Sequence, residues 1–280
     1  MRALLVGVCA ACVSVAAIAQ QPTPAVPQSS APANSAPKLT DAEIEDFLLH
    51  AKVIKTKGAS KGITATLRAT LTDGKLTHDA QIQDIDERQA VFNGYGGTTE
   101  FDFRDSWSFN VAGYRVDRLI GMNMVPVSVE RKWRYKDAAF TWWIDDVMLD
   151  EEGRLKQKSE PPVLTTWNQQ MQMVRLFDEL IANVDRNLGN LLITKDWRLW
   201  PIDHTRAFRT NHDLKKPLNV THADRAVIDR MKALDKDSLK KATSKYLTTY
   251  QIDAILARRD AIMKRLDSLG PNALYDRAGW

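Results

Sequence analysis

The chain has 280 residues, 44% of them hydrophobic and 26% charged, with a formal net charge of +4. That length allows one large or two small domains with ample apolar content for a core. The mild basic excess is spread along the chain, not gathered into a stripe, which gives little support to a nucleic-acid partner.

Arg2, the apolar run from Leu4 to Ile18 and the small-x-small triplet Ala17-Ile18-Ala19 predict a cleaved signal peptide over 1–19. A transmembrane anchor would need ~20 apolar residues and firmer flanks. Neither Cys9 nor Cys12 is placed for lipid attachment. Both cysteines lie inside this segment, so the expected mature chain has no thiol or disulfide chemistry. Its formal charge is +3, the +4 of the full chain less Arg2. The expected location is exported, periplasmic or extracellular. Residues 20–38 are rich in Pro, Ala, Ser and Gln and read as a disordered linker.

Folding is expected to start at Thr40-Asp41-Ala42-Glu43, a capping box for a short helix to about Ala51. Strands follow at Lys52–Thr56, Thr66–Leu71 and Leu76–Ile85, with Asp73-Gly74 as a turn. The segment 57–64 has two glycines, a Ser and two Lys between strands. It is either a plain turn or a loop over nucleotide phosphates, without the spacing of a G-x-G-x-x-G loop. Residues 87–103, with Gly94, Gly96 and Gly97, read as an irregular insertion. A helix is predicted over Asp105–Ile120, closed by Gly121, and then strands over Val125–Arg131 and Phe140–Ile144. The Trp142-Trp143 pair fits a core better than an adenine platform. Beyond the charged stretch Asp150–Glu160 the chain reads as helical over Thr166–Ala182, Ala223–Leu234, Ser238–Tyr246 and Thr249–Leu269, with no internal repeat.

One stretch carries chemistry. The helix ending Phe177-Asp178-Glu179-Leu180 runs into Asp185-Arg186-Asn187-Leu188-Gly189-Asn190. A strand, Leu191 to Thr194, a turn and a second short strand then lead to Ile202-Asp203-His204. Such an arrangement suits phosphoryl transfer: one carboxylate takes the proton of the attacking hydroxyl, while an amide and a second carboxylate hold a metal on nucleotide phosphates. Asp185 is the candidate base, and Asn190 and Asp203 are the candidate metal ligands. His204 is either a support behind the metal ligands or a structural histidine, and Arg206 and Arg209 either hold phosphate or brace the loop.

This pattern resembles the catalytic and metal loops of phosphoinositide lipid kinases and their atypical protein-kinase relatives, and is similar to secreted Golgi-type and bacterial HipA-like kinases. The match runs over about 52–265 in element order and is specific over 177–209. The resemblance implies an α+β, two-lobed protein-kinase-like fold, with a β-rich N-lobe over 39–148 and a helical C-lobe over 149–280. It implies ATP with Mg²⁺ or Mn²⁺, a hinge at Ile144–Met148, and a hydroxyl acceptor on a protein, lipid or small molecule. It also implies a strand Lys and a helix Glu that pair with each other near the phosphates. Those aligned positions hold Gln83 and Asn110, two amides able to hydrogen-bond each other, so a cation is missing. Lys57, Lys61 and Lys132 are candidate substitutes, with His78 beside Asp79 as a further one.

Two other hydrolytic classes are excluded by pattern. The five histidines are scattered with no H-E-x-x-H spacing, and no G-x-S-x-G is present. The first expectation is a phosphotransferase. The others are nucleotidyl transfer from ATP and an exported pseudokinase acting as a binding module.

Overall fold

A computed structural model describes residues 39–58, 66–93 and 99–277. The expected signal peptide and linker, Lys61 with most of the 57–64 segment, and Gly94, Gly96 and Gly97 lie outside the described residues. Helix α1 (Asp41–His50) begins as its capping box requires. Thr40 Oγ1 accepts from the Glu43 amide at 3.3 Å, and the Thr40 amide donates to Glu43 Oε2 at 2.7 Å.

A five-stranded antiparallel sheet follows, built from β1 (Lys52–Gly58), β2 (Leu67–Thr72), β3 (Thr77–Gln83), β6 (Ser128–Trp133) and β7 (Lys136–Trp142) in the order β1-β2-β3-β7-β6. Strand alternation sends Ala69, Leu71, Ala80, Ile82, Val129 and Phe140 to one buried face, packed under α1. The opposite face carries Arg68, Thr70, Asp79, Gln81, Gln83 and Thr141. The Trp pair divides between these faces: Trp142 meets Phe47 edge-on at 5.8 Å, while Arg68 lies over Trp143 at 4.2 Å.

The expected irregular insertion is instead a hairpin, β4 (Asp86–Asn93) and β5 (Thr99–Ser106), in register from Asp86 opposite Ser106 to Asn93 opposite Thr99. Val91, Phe92, Phe101 and Phe103 are strand-forming residues, and Phe92 stacks on Phe103 at 4.2 Å. Because Asp105 and Ser106 close β5, helix α2 (Ser108–Ile120) starts three residues later than expected. Gly121 ends it at φ +67°, a conformation that favours glycine.

Downstream, β8 (Val147–Asp150), β9 (Leu191–Thr194) and β10 (Leu199–Pro201) form a small sheet in the order β10-β9-β8. The charged stretch after β8 contains a helix missed in the sequence, α3 (Glu151–Gln157). Asp150 Oδ1 caps it, accepting from the Gly153 amide at 2.7 Å, and Glu151 pairs with Arg154 at 2.6 Å. Helices α4 (Leu164–Leu180), α5 (Arg225–Ala233), α6 (Lys236–Thr243) and α7 (Thr249–Leu269) complete the helical part. Strands β11 (Ala223–Asp224) and β12 (Leu274–Tyr275) pair in parallel. No helix among the described residues is long and apolar enough to cross a membrane.

Arg258 of α7 is the largest fully buried side chain. Its guanidinium donates to the carbonyls of Leu180 and Arg209 at 2.9 Å each, and also to that of Asn211. Burial pushes its pKa down to about 10, opposed by Glu179, so it stays charged at neutral pH. It thereby satisfies the end of α4 and the segment after Asp203. Arg258→Met should leave three carbonyls without donors and lower stability by ~3 kcal/mol. Urea denaturation should show this as a lower midpoint, with the α-helical circular dichroism of the native state retained.

Candidate active site

The end of α4 turns sharply at Ala182, and the loop beyond it is held by local side chains. Asn183 Nδ2 donates to Asp178 Oδ1 at 3.1 Å, and Asn183 Oδ1 accepts from the Asp185 amide at 3.2 Å. Asn187 caps a single 3-10 turn over Leu188–Asn190, accepting from the Asn190 amide at 3.1 Å. Asn190 and Asp203 become neighbours because β9 and β10 pair and the Ile202 amide donates to the Asn190 carbonyl at 3.0 Å.

Arg186 joins these parts. It donates to Asp178 at 3.0 Å, to the carbonyls of Asn190 at 3.1 Å and Ile202 at 2.6 Å, and to His204 Nε2 at 3.1 Å. This last bond makes Nε2 an acceptor and puts the ring proton on Nδ1. His204 is buried against Phe177, edge-on at 5.8 Å, and against Gly113 of α2. Burial, with the Arg186 charge adding to it, pushes its pKa well below the usual range. The histidine is therefore a neutral structural support.

Three candidate residues meet in this region. The Asp185 carboxylate lies 3.8 Å from Arg206 and is about half exposed. Lost hydration pushes its pKa up; Arg206 and Arg186 oppose that, and Asp203 and Glu100 add to it. Asp203 sits at φ +55° and accepts from Thr205 Oγ1 at 3.0 Å. Among the described residues Asn190 is held through its backbone alone. Arg206 pairs with Glu100 of β5 at 2.5 Å and lies over Phe103 at 4.8 Å, and Arg209 pairs with the same glutamate. Both arginines thus brace the hairpin on the Asp203 segment.

Gln83 and Asn110 are brought together. The His204 amide donates to Asn110 Oδ1 at 2.8 Å, so Asn110 must turn its Nδ2 outward, and that donates to Gln83 Oε1 at 2.7 Å. Gln83 Nε2 is left buried with no hydrogen-bond partner among the described residues. A narrow cleft of about 10 Å³, little more than room for one water, runs beside this pair, lined by Gln81, Ser128 and Thr141 from the sheet and by Ile202, Asp203 and His204. Lys132 and His78 are engaged elsewhere, and Lys57 is not part of the cleft lining. Lys57 is exposed at the end of β1, opposite Arg68. Lys132 pairs with Asp137 on the β6–β7 hairpin at 2.7 Å. His78 stacks on Trp142 at 3.5 Å and bonds Asp145 at 2.7 Å, so it is not a phosphate contact.

The Glu100 brace and the buried Asp105 were missed by sequence reasoning. Taking 87–103 as irregular concealed the alternation that would have turned Glu100 inward. For Asp105, placement in a helix hid its position at a strand end.

No family model matches the chain, and no curated protein is recognisably similar to it. Solved structures are similar in fold. A hydra Fam20 structure with sugar aligns with a TM-score of 0.62 at 15% identity, over 85% of this chain and 93% of that one. A Golgi casein kinase with Mn/ADP bound aligns at 0.56 and 14% identity, over 83% of this chain and 76% of that one. Another structure of the Golgi casein kinase aligns at 0.57 and 14%, over 85% and 79%. The chain therefore has an α+β, two-lobed kinase-like fold.

The neutral, buried His204 makes a prediction about pH. Its folded pKa lies below its unfolded value, so the unfolded chain takes up the proton first and stability falls as pH drops through ~6.5. His204→Gln, which keeps an acceptor for Arg186, should lose less stability than wild type between pH 7 and pH 5. Parallel denaturant titrations at the two pH values measure the difference.

Proposed function

We propose that the chain is an ATP-dependent phosphotransferase that uses Mg²⁺ or Mn²⁺ and acts on a hydroxyl acceptor of protein, lipid or small-molecule origin. It is proposed to work as an exported, periplasmic or extracellular enzyme, with an N-lobe over 39–148 and a C-lobe over 149–280. The observation that carries this reading is the single guanidinium of Arg186, which ties the Asp185–Asn190 loop to the Asp203 turn. The kinase-like fold supports the same class of reaction.

The residues suit the ligands. Asn190 and Asp203 offer hard oxygen donors, as Mg²⁺ and Mn²⁺ prefer. Gln83 Nε2 is a buried donor without an acceptor among the described residues, and a phosphate oxygen would complete it. Lys57 and Lys61 are the cations proposed to neutralise the phosphates. When bound, the metal neutralises charge on the transferred phosphoryl group. Asp185 orients the acceptor hydroxyl and takes its proton; Arg206 holds that carboxylate in place. Asn110 acts through Gln83, fixing which end of the amide faces outward.

A second reading is an exported binding module that keeps the fold without turnover. Two observations favour it: the neutral Gln83–Asn110 pair where an ion pair was implied, and a cleft smaller than the ~300–1,000 Å³ usual for ligand sites. Transfer of the nucleotidyl group is a variant of the first reading, since an amide in place of an ammonium could seat ATP differently.

Thermal melts separate these readings. With ATP and Mn²⁺ at ~100 times the dissociation constant the protein should gain ~2.7 kcal/mol, a shift of several degrees. Asp203→Ala should abolish that shift. Asp185→Ala should keep it and lose turnover by ~10²-fold or more. A melt unmoved by millimolar ATP and metal would sink the enzyme reading.

The base makes a pH prediction as well. Asp185 must be ionised to accept a proton, and its pKa is raised, so activity should rise with pH through a limb above the ordinary aspartate value of 3.8. Arg206 opposes that rise. In Arg206→Gln the limb of kcat/KM should therefore move to higher pH, and an unmoved limb would mean that another group is the base.

A further inference from the structure

Asp105 has no part in the reaction just proposed. The residue is 9% exposed, and its Oδ1 has no hydrogen-bond partner among the described residues. It is not loosely held. The next residue, Ser106, donates its amide to the Thr205 carbonyl at 2.9 Å, which fastens the end of β5 to the turn carrying Asp203. Thr205 Oγ1 donates to Asp203 Oδ1 at 3.0 Å. Burial pushes the Asp105 pKa up and the Asp203 charge adds to that, opposed by Thr205 and Arg206.

The positive charge nearby, Arg206 and Arg209, is shared with Glu100. Asp203 repels the Asp105 carboxylate, and so does Glu87, its cross-strand partner in the hairpin. Arg206 attracts it but is already committed to Glu100 and Asp185. Gln83 brings no charge. A buried carboxylate with an orphan oxygen beside a second carboxylate is costly unless a cation or a proton compensates it.

We propose that Asp105 and Asp203 together bind a divalent cation of the hard, oxygen-preferring class, Mg²⁺ or Mn²⁺, with Asp105 Oδ1 as a ligand donated by the β4–β5 hairpin. This inference rests on the phosphotransferase reading and deepens it, adding a metal ligand from outside the Asp185–Asp203 stretch. No group of three His, Cys, Asp or Glu among the described residues forms a metal cage. Two carboxylates, with the Asn190 amide oxygen, water and phosphate oxygens at the other positions, give the all-oxygen set that Mg²⁺ prefers. The ion would also restore positive charge that Gln83 does not supply. The rival account is a proton held permanently on Asp105.

The test uses Mn²⁺ alone, without nucleotide, so that it is independent of ATP binding. Loss of the free-ion electron paramagnetic resonance signal measures binding to wild type, Asp105→Asn and Asp203→Asn. The expected result is Mn²⁺ binding by wild type, weakened ~10-fold or more in both variants, as ~1.4 kcal/mol or more of lost ligation requires. Metal-free Asp105→Asn should melt no lower than wild type, because a repelled charge has been removed. Unchanged Mn²⁺ affinity in Asp105→Asn would overturn the proposal in favour of the proton, and so would no binding by wild type at millimolar Mn²⁺. Should that variant fail to fold, anomalous scattering from Mn²⁺-soaked wild-type crystals decides. An ion ~2.0–2.6 Å from Asp105 supports the proposal, and an ion on Asp203 alone overturns it. If Mn²⁺ binds as expected but ATP adds no thermal shift, the nucleotide reading fails and the metal site stands.

Discussion

The loop geometry of this protein depends on one guanidinium. Arg186 has five N–H donors in a fixed planar fork, and it uses them on a carboxylate, two carbonyls and an imidazole from four places in the chain. Each acceptor constrains the others through that rigid plane. Lysine could not do this, because its donors rotate and cannot hold two carbonyls and a carboxylate at set angles. His204, neutral because it is buried, can accept from the arginine only in that state. The charge of the arginine and the neutrality of the histidine are therefore one arrangement.

A second chain of constraint runs through uncharged groups. The backbone amide of His204 fixes the orientation of Asn110, and Asn110 in turn fixes Gln83. An ion pair at these positions would bring its own attraction at a large desolvation cost. The amide pair avoids that cost and keeps directionality, but offers nothing to offset the charge of phosphates. The acidic character of Asp105, Asp185 and Asp203 makes that absence more consequential.

The parts of the fold that were legible in the sequence share a property: each was specified locally. The capping box at Thr40 and Glu43, the apolar stripe of α4 and the strands around Asp185 and Asp203 are all readable within a dozen residues. The β4–β5 hairpin was not, because its glycines suggested irregularity while its aromatic residues pair across the hairpin, up to eleven residues apart. Helix α3 was hidden by its charge, since Glu151 and Arg154 neutralise each other inside the fold. Asn110 was legible as an alignment and Gln83 as its partner, but the direction of both amides came from a backbone group about ninety residues away. Asp105 depended on contacts with a distant turn, which no local pattern encodes.

Helix α2 has one further consequence, for how the molecule comes to be folded. Its C-terminal turn is closed from far along the chain: Arg277 donates to the carbonyls of Gly121 at 2.7 Å and Met122 at 2.9 Å, and pairs with Asp224 at 3.1 Å. Those partners are 155 and 156 residues apart for the two carbonyls. Contacts of such separation form late, because the loop they close must first be ordered. A growing chain can therefore lay down its sheet early, yet the helix that carries Asn110 is locked only when the last strand arrives.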